Sequence, residues 1–143
     1  MVHALKEIHR ALAPGGILID LRPLMDLSPV EVVSVSQTIN LAGVVNQLPE
    51  DIANDEAANK AIEKTAEQGW LILERRVFFP FSYYWDSPEE MQAYVEEEWA
   101  DFVTIHESVW RNVHSLWATA NASGRLRVQV KMMIARWRAG KDY

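Results

Sequence analysis

Cysteine is absent from the 143 residues, which removes a disulfide framework, a thiolate nucleophile and a Cys-ligated metal from the available chemistry. Basic residues are the minority, 14 against 20 acidic ones for a net charge of −6. Affinity for a phosphate backbone comes from accumulated Lys and Arg, so nucleic acid is not an expected partner. No apolar run approaches the roughly eighteen residues of a membrane span, and residues 1–15 lack the apolar stretch of a signal peptide. The expectation is a soluble, cytoplasmic protein with no membrane partner, in which Asn121-Ala122-Ser123 is an accidental sequon. Glycine is also scarce, at six, with one adjacent pair, Gly15-Gly16.

What is present is enough apolar material, 49% of residues, for a single domain over residues 1–143 with a sizeable core. The charges are clustered: Arg125, Arg127, Lys131, Arg136, Arg138 and Lys141 near the end, and Glu89, Glu90, Glu96, Glu97, Glu98 and Asp101 earlier. Two solvated faces explain this pattern without a ligand.

Local patterns divide the chain into elements. Leu5, Ile8 and Leu12 recur at helical spacing, and Ala13-Pro14-Gly15-Gly16 stops that helix. The run Ile17 to Leu21 shows little alternation, which predicts a strand covered on both faces. A helix, a tight turn and a buried strand form the second half of a parallel-sheet repeat. Val30 to Val35 and Thr38 to Val45 are rich in β-branched residues and predict a hairpin, at about 30–45, appended outside the main sheet. From Asn54, an N-cap type residue, acids and alanines lead to Gly69 at a C′ position. Trp70 to Phe79 then reads as a strand that Pro80 ends or bulges.

"WDSPEEM" starts a helix with Ser87 as N-cap, Pro88 at N1 and Glu90 closing a capping box. Its stripe is Met91, Val95, Trp99 and Phe102, and a second helix follows from about Ile105 to Ala120. After Ser123-Gly124, the alternation of Leu126, Val128, Val130, Met132 and Ile134 with polar residues predicts a long closing strand with one buried face.

"LKEIHRALAPGGILID" resembles the helix, turn and fifth strand of class I S-adenosylmethionine-dependent methyltransferases, through Leu5, Glu7, Arg10, Leu12, Pro14, Gly15 and Gly16. "AEQGWLILERRVF" resembles that family's sixth strand, and "RLRVQVKMMIARWRAG" its seventh, antiparallel one. The resemblance implies an α/β fold, a partial Rossmann-like methyltransferase sheet of three principal strands plus a β-hairpin, packed by helices. The hairpin at about 30–45 and the helices at about 88–120 are then insertions. It also implies that this is the C-terminal half, without the glycine-rich turn and the acidic strand end that bind the cofactor. Gly15-Gly16 follows a helix and opens a strand, the reverse of a cofactor-binding turn. No cofactor is expected on the isolated chain, and S-adenosylmethionine only if an N-terminal half completes it.

Candidate chemistry is sparse. Asp20 and Arg22 end the buried strand on one side of it, where open α/β sheets bind ligands, or they form a local ion pair. Tyr83, Tyr84 and Trp85, within "FFPFSYYWD", either wall a substrate pocket or pack as core. These five are the candidate substrate-binding residues, and no catalytic residue is identified. His106 and His114 lie about 12 Å apart along one helix, and no HExxH pattern or nucleophile elbow is present, so neither a metal site nor a hydrolase is expected.

Three functions follow. One is the substrate-side portion of a methyltransferase-like protein, inactive without its cofactor-binding half. The second is a non-catalytic module that binds a small molecule or a protein and works as a homo-oligomer. The third is a purely structural or assembly module. Whether the chain is an enzyme stays open. In the family's complete fold the fifth strand is flanked by the fourth. Residues 17–22 are therefore expected to recruit a second copy, a complementing N-terminal half, or the hairpin.

Overall fold

The computed structural model describes residues 2–34, 36, 38–120 and 123–140. Val35 of the expected hairpin, the Asn121-Ala122 sequon and Lys141 of the basic cluster lie outside these. The protein is α/β, and its described residues form four α-helices and a six-stranded sheet in which every pairing of defined register is antiparallel. The chain divides into two compact units, Met1–Leu24 with Glu50–Phe79 and Met132–Tyr143, and Met25–Pro49 with Pro80–Lys131.

In the first unit, helix α1 (Val2–Ala11) leads through the Pro14-Gly15-Gly16 turn into strand β1 (Ile17–Pro23). Gly15 takes a φ of 75°, a left-handed conformation that a side chain strains. Helix α2 (Pro49–Glu67) begins five residues before Asn54, because Pro49 starts it with Glu50 and Asp51 in its first turn. It stops at Gly69, φ 74°, with the Trp70 N–H returned to the Thr65 carbonyl. β4 (Leu71–Trp85) and β6 (Arg125–Ala139) contribute to both units. Ile62, Leu71, Met133, Ala135 and Trp137 form the first unit's core, with Leu5, Leu12 and Leu18 packed on it.

Strand β1 pairs with β6 over Ile17↔Arg138 to Pro23↔Met132. Residues directly opposite share a face, so Leu18, Asp20 and Arg22 lie with Trp137, Ala135 and Met133. Ile17, Ile19 and Leu21 lie with Arg138, Arg136 and Ile134. The expectation of cover on both faces is corrected here. Ile19 is 52% and Leu21 56% exposed, because the core under α1 and α2 takes in Leu18 on one face of β1 and no residue from the other. On that bare face Glu74 ion-pairs with Arg136 and Arg138.

The second unit holds β2 (Ser28–Val33), β3 (Ile39–Gln47), helix α3 (Pro88–Tyr94), the two-residue β5 (Val103–Thr104) and helix α4 (Glu107–Thr119). The hairpin β2–β3 does not stand outside the sheet. β2 pairs with β6 over Val30↔Val128 to Val33↔Arg125, and β3 pairs with β5. Its core holds Val30, Val32, Val45, Met91, Val113, Leu126 and Val128. A Cβ on Gly43 of β3 would lie 2.5 Å from Val109 Cγ2 of α4, so glycine there sets how closely the helix approaches the strand.

The helix start at Ser87 is as expected: Ser87 Oγ accepts from the Glu90 N–H, and Glu90 Oε2 accepts from the Asp86 N–H, one residue before the cap. After α3 the helix widens into a π turn over Val95–Trp99. The wider turn shifts the stripe, so Phe102 is 54% exposed while Val103 enters the core. Pro80 does not end β4, which runs through it for 15 residues. Among the described residues β4 pairs with β6 alone, and a strand paired on one side is where proline is tolerated.

The alternation along β6 is only partly as expected. Leu126 and Val128 are buried in the second unit, whereas Met133, Ala135 and Trp137 are buried in the first, shifting the buried set from even to odd positions. No helix among the described residues is long and apolar enough to cross a membrane.

Candidate functional site

The five candidate residues fall into separate units: Asp20 and Arg22 in the first, Tyr83, Tyr84 and Trp85 in the second. Alternation along β1 sends Asp20 and Arg22 to the same face, where Arg22 Nε lies 3.2 Å from Asp20 Oδ1 and Arg22 Nη1 lies 3.4 Å from Asp55 Oδ1. Asp55 comes from α2 and was not identified in the sequence, and its other oxygen accepts from Asn59 Nδ2 at 3.2 Å, one helical turn on. The cluster holds two carboxylates against one guanidinium, all largely covered.

The cluster is incompletely satisfied. The Arg22 Nε contact lacks hydrogen-bond angles, so Arg22 Nε and Asp20 Oδ2 are buried atoms with no hydrogen-bond partner among the described residues. Buried polar atoms of this kind cost free energy unless something satisfies them. Beside them runs a cleft of about 270 Å³ walled by Leu5, Ile8, Leu18, Ala58 and Ile62. A second cleft of about 250 Å³ meets Arg22 from the direction of Asn59, Arg76 and Phe78. The arrangement suits a ligand with an apolar body and a hydrogen-bond donor or cationic group.

A larger cavity of about 670 Å³ in the same unit is lined by Lys6, His9, Arg10, Trp70 and Gly140. His9 stacks on Trp70 at 6.0 Å, and Arg10 is already paired with Glu7 at 2.9 Å. Sequence spacing gave no sign of it, because Trp70 and His9 are joined only by the fold.

The aromatic stretch divides. Tyr83 and Trp85 point into a four-ring cluster with Tyr94 and Trp99, every pair of rings 4.9–6.2 Å apart. Rings this close fill the space between them, and the π turn is what delivers Trp99 there. Tyr84 lies on β4 between them and is exposed. It hydrogen-bonds Arg127, whose principal partner is Glu31 at 2.7 Å, its registered neighbour across β2 and β6. That hydrogen bond to Glu31 raises the Arg127 pKa more than burial lowers it. Tyr83 and Trp85 are therefore core, and Tyr84 supports a cross-strand ion pair.

Burial raises the Tyr94 hydroxyl above the ordinary tyrosine value, with Tyr83 and Glu98 adding to it. A raised folded-state value means that this contribution to stability is whole below about pH 10 and declines as pH rises through the folded value. A 295 nm titration should show one of the four tyrosines ionising late. Tyr94→Phe should remove that step and the matching loss of stability in alkaline denaturation.

Among the described residues no group of three or more His, Asp or Glu side chains is placed to hold a metal ion. His106 instead caps α4, its Nδ1 accepting from the Ser108 N–H at 3.2 Å. No protein-family model, curated protein or solved structure matches the chain.

Proposed function

We propose that this chain is the substrate-side, C-terminal portion of a class I methyltransferase-like fold, with the Asp20–Arg22–Asp55 cluster and its cleft as the ligand site. One observation carries the reading: a helix and a Pro-Gly-Gly turn enter β1, and β6 runs antiparallel to β1 while also pairing with β4. Those are the elements whose sequences resemble the family's fifth, seventh and sixth strands. Asp20 and Arg22 sit toward the C-terminal end of β1, where the family's cofactor and acceptor meet, and Asp55 orients Arg22 from α2.

S-adenosylmethionine itself does not fit the residues present. The Gly16 N–H is spent on the Ala13 carbonyl at 2.7 Å, and a Cβ at Gly16 would meet that same oxygen at 2.8 Å. The paired glycines thus serve a helix-to-strand turn and offer no free cradle. Cofactor binding belongs to a complementing half that carries a glycine-rich strand-turn-helix.

Calorimetric titration with S-adenosylmethionine tests this. The chain alone should give no saturable heat, and the chain mixed with the N-terminal half of a class I methyltransferase domain should bind one cofactor per pair. Saturable binding by the chain alone, or silence in both samples, would overturn the reading. The bare side of β1 favours the second function, a module that self-associates.

A further inference from the structure

We infer that β1 is a self-pairing strand: two copies of this chain join antiparallel along it, about a two-fold axis at Leu21. The inference goes beyond the methyltransferase reading and holds for the chain by itself.

The backbone fixes which groups are available. Ala139 donates its N–H to the Gly16 carbonyl at 2.8 Å, and Gly16 lies opposite Ala139 in the β1–β6 register. Hydrogen-bonded and non-hydrogen-bonded pairs alternate in an antiparallel ladder. Leu18, Asp20 and Arg22 therefore bond to β6, while Ile17, Ile19 and Leu21 turn their N–H and C=O groups outward. β1 ends the strand order, and no described strand meets that side. The same three residues present apolar side chains, Ile19 and Leu21 being more than half exposed. An edge both apolar and unpaired is a template for another strand.

Charge selects the second copy and its register. A two-fold axis at Asp20 sets that carboxylate against its own copy at the closest cross-strand approach. An axis at Ile19 sets it against Leu18, which removes water and supplies no donor. An axis at Leu21 sets Asp20 against the second copy's Arg22 and Arg22 against its Asp20. Asp20 Oδ2 and Arg22 Nε are the buried side-chain atoms of this strand without hydrogen-bond partners among the described residues, one an acceptor and one a donor, two residues apart. The Leu21 axis sets the side chain carrying the acceptor opposite the one carrying the donor, twice over. Pro23 then faces Ile19, where its missing N–H forfeits one bond on each side.

The absence of cysteine makes the test direct. Leu21→Cys on the axis sits in a hydrogen-bonded pair with its copy, about 5.5 Å between Cα atoms, within disulfide reach. Ile19→Cys is then about 14 Å from its copy, four residues of rise, and beyond reach. Both positions are exposed, so neither change touches the core. Light scattering should find a dimer for the unmodified chain and both reduced variants. Oxidation should crosslink Leu21→Cys nearly completely and Ile19→Cys at least tenfold less. A monomer, a dimer that crosslinks at neither position, or preferential crosslinking at Ile19→Cys would each overturn the proposal.

Discussion

Trp85→Ala should destabilise the protein by about 3–5 kcal/mol, the range for truncating a buried tryptophan, and thermal denaturation should read it as a loss of ten degrees or so for a chain of this length. Trp85 is 9% exposed and touches Tyr83, Tyr94 and Trp99, stacked on the first and tilted or edge-on to the others. Removing the indole opens a cavity at the centre of rings held by a strand, a helix and a π turn, and these cannot all collapse inward together. The control is one residue away. Tyr84→Ala removes a larger exposed surface, the hydrogen bond to Arg127, whose Glu31 partner remains, and the ring beneath the Arg125 guanidinium at 6.0 Å, so its cost should stay near 1 kcal/mol. Equal losses for the two variants would show that the ring cluster is not a structural core and would return Tyr83 and Trp85 to candidacy as pocket walls.

Gly140→Ala should cost more than a single methyl group ordinarily does. A Cβ there would stand 1.8 Å from the Gly69 carbonyl oxygen and 3.0 Å from its carbon. Both are backbone atoms of the turn after α2, and Gly140 also donates its N–H to the Trp70 carbonyl at 2.7 Å. No side-chain rotation relieves the clash. The end of β6 must separate from the turn, breaking that hydrogen bond. The expected loss is at or above the upper end of the roughly 1–3 kcal/mol typical of overpacking. Gly15→Ala makes the comparison clean. A Cβ at Gly15 meets nothing within 4 Å, so its cost is the left-handed backbone alone, about 1–2 kcal/mol. A denaturation series in which Gly140→Ala is no worse than Gly15→Ala would contradict the close approach.

What the sequence disclosed was what lies within a few residues of itself. Ser87 with Pro88 and Glu90 names a helix start because all the groups concerned fall within one turn, and Gly69 names a helix end for the same reason. The pairing of Asp20 with Arg22 follows from a two-residue period. Asp55 was invisible, since its place beside Arg22 depends on how α2 crosses β1, 33 residues along the chain. Apolar character without its surroundings also misled. Ile19 and Leu21 look like Leu18 to any hydropathy reading, and only the helices, which cover a single face of the strand, distinguish them. The shift in β6 from buried Val128 to buried Met133 has the same origin. A period-2 pattern states that a face is covered, and the covering partner changes along the strand.

Pro80 acquires a second meaning from the pairing proposed for β1. A sheet with two receptive edges can add copies indefinitely and grow into a fibre, whereas one with a single receptive edge closes at two. Among the described residues β4 pairs with β6 alone, so it is another place where such growth would start. There the chain offers Glu74, Arg75 and Arg76 in succession and then, mid-strand, an exposed residue with no N–H to give, the devices that blunt strand edges against addition. The proline tolerated in the middle of β4 thus works against strand addition at that edge.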